Sequence, residues 1–446
     1  MQRLLLVLGC LFSSAVACAE TSAAPRIDRI VRAYMEREHI PGVAVVALQG
    51  DRVLLAQGWG YSDLASRAPM TPEAVQPIYS ISKHMTATAV LTLAEQGRLA
   101  VSDPVMRYLP EWFADEPQLQ LVHLLRHTSG LPEFIGLDGI EPIESGARPN
   151  ASVIDVMNIV DRAPRRFAPG TWHSYSNSNY SALALIVERV SGQPISVPGM
   201  EDCAISRRRG ARWSTGYTQK GKPWTPPANL TATYIGNGGM CSSARGLASW
   251  MRALASGRIL PAARVQEMVS TAALPFGSTP PYGYGLSTVT VAGRPAWSHA
   301  GGGEGWGAWA AYLPDDKLTV VVFGNRGWLW STDLGVPIVR ALLEQPEPQP
   351  LLLLPVSEQE GQVLAEVCDD GLFDFKIEVG SHGMLVTVAP FGEPIVLHKQ
   401  ALNVFVSALR PDTFRLRLRA DGGPPEFDWM EHRSYLRPCG PKAKQN

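Results

Sequence analysis

A surplus of charge of either sign is the first thing this sequence lacks. Lys and Arg number 40 against 41 Asp and Glu, a formal net charge of −1 over 446 residues, and only 18% of the residues are charged. That balance gives no electrostatic footprint for a polyanion, and no basic run carries interleaved aromatics, so no nucleic-acid partner is expected. Arg207-Arg208-Arg209 and Arg165-Arg166 are the only notable basic clusters and read as solvated loop faces. Past the first twenty residues no stretch is long and apolar enough to span a bilayer. His123, His127, His173 and His382 stand at no metal-ligand spacing from Cys, Asp or Glu, so no metal or other cofactor is expected. Convincing internal repeats are absent too.

Cysteine is sparse, at six, and two of the six lie in the opening segment. That segment runs from Met1-Gln2-Arg3 into a short apolar core, Leu4 through Phe12, and reads as a secretory signal peptide over residues 1–19, with cleavage after Ala19. The protein is therefore expected to be exported, periplasmic or extracellular, with membrane attachment only if Cys18 is lipidated. Cys203, Cys241, Cys368 and Cys439 remain, in a compartment that permits disulfides. Pairing Cys203 with Cys241 and Cys368 with Cys439 would keep each bridge inside one domain; four buried thiols are the alternative.

What is present divides the chain in two. With 45% hydrophobic residues it can bury a large core, and its length exceeds an ordinary single one. Residues 26–38 have helical periodicity, and residues 43–48 and 53–57 read as a hairpin around Gln49-Gly50-Asp51. A mostly helical middle, residues 80–230, precedes strands within residues 294–323 and a closing helix over 334–343. The terminal segments thus supply one sheet and the helical middle is inserted. Gln345-Pro346-Glu347-Pro348-Gln349-Pro350 starts a proline-spaced linker, residues 346–355. The tail, residues 356–446, reads as short strands at 373–379, 384–388, 395–398, 404–408 and 414–419.

Three motifs carry chemistry. Ser80-Ile81-Ser82-Lys83 puts a hydroxyl and an amine three residues apart at the start of a long apolar helix ending near Gly97, so both share one face beside the positive end of the helix dipole. Tyr175-Ser176-Asn177 follows a turn-rich segment and precedes a helix over 181–190. Trp297-Ser298-His299-Ala300-Gly301-Gly302-Gly303 precedes two strands, 306–313 and 318–323, joined by Pro314-Asp315-Asp316-Lys317. Singly, the serine is a helix cap, the tyrosine a core aromatic, the asparagine a turn former and the glycines a connection. In this order together they resemble the serine β-lactamase and penicillin-binding-protein superfamily, within it the class C β-lactamase-like hydrolases and esterases. Leu124-Leu125-Arg126-His127-Thr128-Ser129-Gly130-Leu131-Pro132 and Gly238-Gly239-Met240-Cys241-Ser242-Ser243 extend the resemblance across residues 26–345. Arg126-His127 reads as packing.

The resemblance implies an α+β fold: an antiparallel sheet flanked by helices, an inserted helical subdomain, and a small all-β, lipocalin-like tail of structural or substrate-restricting role. It implies that Ser80 is the nucleophile, Lys83 its activator and Tyr175 a proton shuttle whose acidity needs the lysine cation. Whether Lys83 or Tyr175 takes the serine proton first stays open. Asn177 would hold Lys83 and the substrate amide, and the N–H groups of Ser80 and Gly302 would form the oxyanion hole. His299 and Gly301 would meet substrate where relatives carry Lys-Thr-Gly. A mostly neutral histidine binds carboxylate weakly, which moves the expectation from β-lactams toward an ester, amide or D-amino-acid peptide substrate. The alternatives are a D-Ala-D-Ala carboxypeptidase or β-lactamase acting on cell-wall-like substrates, and a non-catalytic ligand sensor. The chain also runs from Gly192-Gln193-Pro194-Ile195 almost directly into Val197-Pro198-Gly199-Met200, where relatives place a helix, which would leave the pocket differently lined. Oligomeric state is not readable.

Overall fold

The computed structural model describes residues 23–135, 137, 152–195, 201–202, 212–218, 221–224, 235–327, 331–347 and 354, and in the tail 367–369, 375–380, 383–388, 395–401, 404–407, 414–419, 421, 423–429, 432–435 and 437–438. The leader, Cys203, Cys439, Arg207-Arg208-Arg209, the segment around Val197 and most of the linker lie outside these residues.

Helix α1 (Ala24–Glu38) begins with Pro25 in its first turn, where the missing N–H costs nothing, and closes at His39 in a left-handed conformation. Ile27, Val31 and Tyr34, at i, i+4 and i+7, are its buried stripe. The hairpin β1 (Gly42–Gln49) and β2 (Arg52–Asp63) follows as expected, though β2 runs six residues past the expected Gln57 to meet β3 (Ala68–Pro69). The other half of the sheet comes from the far end of the domain: β4 (Ser287–Val291), β5 (Arg294–Gly303), β6 (Trp306–Leu313) and β7 (Leu318–Gly324). The seven strands lie in the order β3-β2-β1-β7-β6-β5-β4, all antiparallel, with β1 zipped to β7 through Val45↔Val322. Strands β3 and β4 have no counterpart in the sequence reading.

Alternation along β1 sends its side chains to two cores. Val43, Val45 and Ala47 share one with Ile27 and Val31 of α1 and with Leu334, Ile338 and Val339 of α8 (Ser331–Leu342). Ala44, Val46 and Leu48 share the other with α2 (Ser82–Glu95), α5 (Asn177–Ser191) and α6 (Ala244–Ala255). Between α2 and α5 in sequence come the short α3 (Leu121–Leu125) and α4 (Val153–Arg162), and α7 (Ala262–Val269) lies between α6 and α8. Each fully buried aliphatic side chain contributes roughly 1.5–3 kcal/mol, so both cores are large relative to any single polar contact. In α8, Gly335 is required by contact: a Cβ there would stand 2.2 Å from the Trp309 ring.

Helix α2 is buried nearly all round, as a helix between a sheet and other helices must be. Thr86, Thr88 and Thr92 return their hydroxyls to carbonyls four residues earlier, so the burial leaves those polar atoms satisfied. A single 3-10 turn, Tyr79–Ile81, leads into it. Ser80 therefore sits at the entrance to the helix.

The tail forms a second seven-stranded antiparallel sheet in simple sequence order: β8 (Phe375–Gly380), β9 (Gly383–Val388), β10 (Ile395–Ala401), β11 (Val404–Ser407), β12 (Phe414–Arg417), β13 (Glu426–Trp429) and β14 (His432–Tyr435). Five match the sequence reading, and β13 and β14 are additional. Leu397, Phe405, Val406, Leu416 and Phe427 are buried in it. It touches the larger unit through Ser278, whose hydroxyl lies 2.6 Å from Glu426 Oε1 and 3.0 Å from the Tyr435 hydroxyl. Among the described residues, no helix is long and apolar enough to cross a membrane, and no cluster of His, Cys, Asp or Glu could hold a metal ion. Cys241 is disulfide-bonded.

Candidate active site

Three segments meet where α2 and α5 begin and β5 passes. Lys83, fully buried, places Nζ 3.0 Å from Ser80 Oγ, 2.7 Å from Asn177 Oδ1 and 2.9 Å from the Asn237 carbonyl. Burial depresses the lysine pKa to about 7 from 10.5, opposed by the negative field of Glu133. Near neutrality Lys83 can thus lose its proton and become an uncharged amine. Such an amine has two N–H bonds for the two carbonyl-type acceptors and a lone pair toward the serine hydroxyl.

Tyr175 is buried, with the Lys83 ammonium 4.8 Å from its ring centroid. Burial raises its phenol pKa, the Glu133 charge adds to the rise, and a hydrogen bond with Ser80 offsets only part. The expected acidification of Tyr175 by the lysine is therefore corrected: desolvation wins, and the phenol keeps its proton at neutral pH.

Gly301 lies against the nucleophile turn. A Cβ on it would stand 2.1 Å from the Ile78 carbonyl and 3.2 Å from Ser80 N, whereas a Cβ on Gly302 would meet nothing within 4 Å. The backbone of β5 thus runs beside Ser80 with open space at Gly302. Strand β4 pairs with β5 only as far as Ser287↔Ser298, so residues 299–303 have no strand on that side among the described residues. His299 differs from its expected placement: it is buried, Nδ1 lies 2.5 Å from the Ala300 carbonyl and Nε2 lies 3.0 Å from the Tyr282 hydroxyl. The Ala300 carbonyl can only accept, which puts the ring proton on Nδ1 and leaves Nε2 to accept from Tyr282. That side chain has neither the exposure nor the free donor that direct carboxylate binding needs.

Two participants escaped the sequence reading. Glu133 directly follows the quoted Leu131-Pro132; its Oε2 accepts the Asn177 N–H at 2.6 Å and its Oε1 the Ile135 N–H at 3.0 Å. Burial raises its carboxyl pKa, opposed by those two N–H groups and by Lys83. Asn237 contributes a backbone carbonyl, and its side chain is anchored to Ser181 Oγ at 2.8 Å.

A buried amine with lowered proton affinity lies against a half-buried serine at a helix entrance, beside a glycine-lined strand edge, an arrangement suited to activating a serine for acyl transfer. The Beta-lactamase family model matches residues 27–328. The chain belongs to that family. It is similar to a D-aminopeptidase from Gluconobacter oxydans, 28% identical over 320 residues that cover 68% of this chain and 59% of that protein. A D-aminopeptidase from Brucella ovis is 26% identical over 341 residues, 73% of this chain and 64% of that protein. The chain spans less than two thirds of the length of these curated relatives. Among solved structures, a D-amino acid amidase from Ochrobactrum anthropi SV3 complexed with D-phenylalanine superposes with a TM-score of 0.62 at 21% identity, covering 73% of this chain and 99% of that one. The octameric penicillin-binding protein homologue from Pyrococcus abyssi gives 0.65 at 20% identity over 93% of this chain and 100% of that one. At such identities the likeness is one of fold.

Proposed function

We propose that this protein hydrolyses small amides that carry a free amine, of the D-amino-acid amide or peptide type, through an acyl-enzyme on Ser80. The single observation behind the mechanism is the triple coordination of Lys83 Nζ with its pKa lowered to about 7. Uncharged Lys83 takes the Ser80 proton as the Oγ–carbon bond forms, and the carbonyl oxygen gathers charge toward the N–H groups of Ser80 and Gly302. When the carbon–nitrogen bond breaks, the leaving amine takes the proton of the Tyr175 phenol, which regains one from the Lys83 ammonium. Water then attacks the acyl-enzyme by the same steps in reverse.

The amine preference rests on charge. Glu133 is partly accessible and supplies a carboxylate at Asn177, within electrostatic reach of Lys83 and Tyr175 and suited to an ammonium group, while His299 offers no permanent cation to a substrate carboxylate. The D-aminopeptidase and D-amino acid amidase names of the relatives agree with that preference. The half of β5 that no strand pairs among the described residues, 299–303, suits an extended amide backbone. Export completes the proposal: the disulfide at Cys241 fits an oxidising compartment.

Intact-protein mass spectrometry with D-alanine p-nitrophenyl ester, a fluorophosphonate and a penicillin tests it, with Ser80→Ala as control. Transient acylation by the ester, lost in the control, together with release of p-nitroaniline from the D-alanine anilide in preference to the L form, is the expected result. A stable penicillin adduct without amide turnover would shift the protein to the penicillin-binding peptidases, and absence of every adduct to the ligand sensors.

A further inference from the structure

The loop 127–133 grips the Tyr175 segment residue by residue. The Asn177 N–H is taken by Glu133, and the Ser176 and Ser178 hydroxyls both donate to the Pro132 carbonyl, at 3.1 and 2.6 Å. Tyr175 itself is bracketed on both sides by His127: the N–H before it, of Ser174, donates to the His127 carbonyl at 3.0 Å, and the N–H after it, of Ser176, donates to His127 Nδ1 at 3.2 Å. The Asn179 side-chain amide lies 3.0 Å from the same Nδ1, and its Oδ1 is 2.5 Å from Ser129 Oγ. With a backbone N–H already donating to it, Nδ1 must be an acceptor, which places the ring proton on Nε2. The His127 ring lies 4.3 Å from the Tyr175 ring, centroid to centroid, and 4.8 Å from that of Tyr282. Its backbone is left-handed, φ 56°, a conformation that a residue with a Cβ adopts only when its surroundings hold it there.

We propose that His127 is the positioning residue of Tyr175, its ring nitrogen and carbonyl clamping the peptide groups on both sides so that the phenol is aimed at the leaving nitrogen. The proposal rests on the role given to Tyr175 above. It makes a distinction that general destabilisation does not. An anilide needs a proton on its departing nitrogen and a p-nitrophenyl ester departs as phenolate without one, so misaiming the phenol penalises the anilide selectively.

The test compares kcat/KM, which reports acylation and not the shared deacylation, for D-alanine p-nitroanilide and D-alanine p-nitrophenyl ester in His127→Asn, His127→Phe and Tyr175→Phe. Asn keeps an acceptor near the Nδ1 position and tolerates the left-handed backbone, whereas Phe keeps the ring contact and loses the acceptor. Expected is a loss of about 10²-fold on the anilide for His127→Phe with less than about tenfold on the ester, and His127→Asn close to the parent, as for a misplacement of order 1 Å. Equal losses on both substrates, or a Phe variant that outperforms Asn, would overturn the clamp. A Tyr175→Phe protein whose anilide-to-ester ratio matches the parent would instead remove the role of Tyr175, and the two failures are thereby separated. Fluorophosphonate labelling of Ser80 reports that each variant is folded. Should His127→Phe not fold, Asn179→Ala loosens the same ring from its other side. It is expected to give the same selective loss at smaller size, and an equal loss on both substrates overturns the proposal.

Discussion

The two faces of the main sheet are built from the same strands and solve opposite problems. The face shared by α1 and α8 is packed by aliphatic side chains with Tyr34, Trp59 and Trp309. The other face has a comparable aliphatic core but also buries Lys83, His84, His127, Asn179 and His299 within it. Removing ionisable groups from water is expensive, and a fold tolerates it only where every group has a partner or gives up its charge. Here burial lowers the Lys83 pKa to about 7, and in the proposed mechanism that cost becomes a base that works near neutrality. One face supplies stability; the other invests part of it in reactivity.

The largest effect that would break this contrast is at Lys83. Lys83→Met should lower acylation by about 10³-fold or more, within what general-base loss costs, measured by the burst with an activated ester. Retention of a burst would place the base elsewhere. On the opposite face Trp309→Ala should cost about 3–5 kcal/mol of stability through the cavity it leaves, while the rate of the folded enzyme at low temperature stays near the parent value. Chemical denaturation and initial rates check that pair, and a variant both stable and slow would show that the faces are not separate.

A finer probe is pH. Lys83 is uncharged above its folded pKa, so the acylation rate should rise as pH increases through about 7. Glu133 is the neighbour that raises that pKa, and Glu133→Gln should move the acid limb to lower pH when an ester without an amine is used. A limb that stays in place, or moves up, would mean that the charge of Glu133 does not reach the lysine.

Legibility in the sequence followed the range of the interaction. Ser80 and Lys83 were readable because helix geometry alone brings i and i+3 together. Tyr175 and Asn177 were readable only through their order with the other motifs, since nothing local distinguishes a catalytic tyrosine from a packed one. Asn237 acts through its carbonyl, which every residue has, so no side-chain pattern could signal it. Glu133 was hidden because a single acid after a loop proline is usually solvated. The misjudged acidity of Tyr175 had the same origin: the sequence places a cation nearby, and only the fold shows that desolvation outweighs it. In the sheet, β4 was overlooked because Ser287-Thr288-Val289-Thr290-Val291 is short and mostly hydroxylated, and its pairing with β5 is what makes it a strand.

The adjacent glycines on β5 have a practical bearing on redesign. Position 301 is closed: any side chain would push the Ile78 carbonyl and, with it, the turn that presents Ser80. Position 302 is open, with no atom within 4 Å of where a Cβ would stand. A small library confined to residue 302 could therefore reshape which acyl groups fit without disturbing the nucleophile, whereas the same library one position earlier would select only for repair.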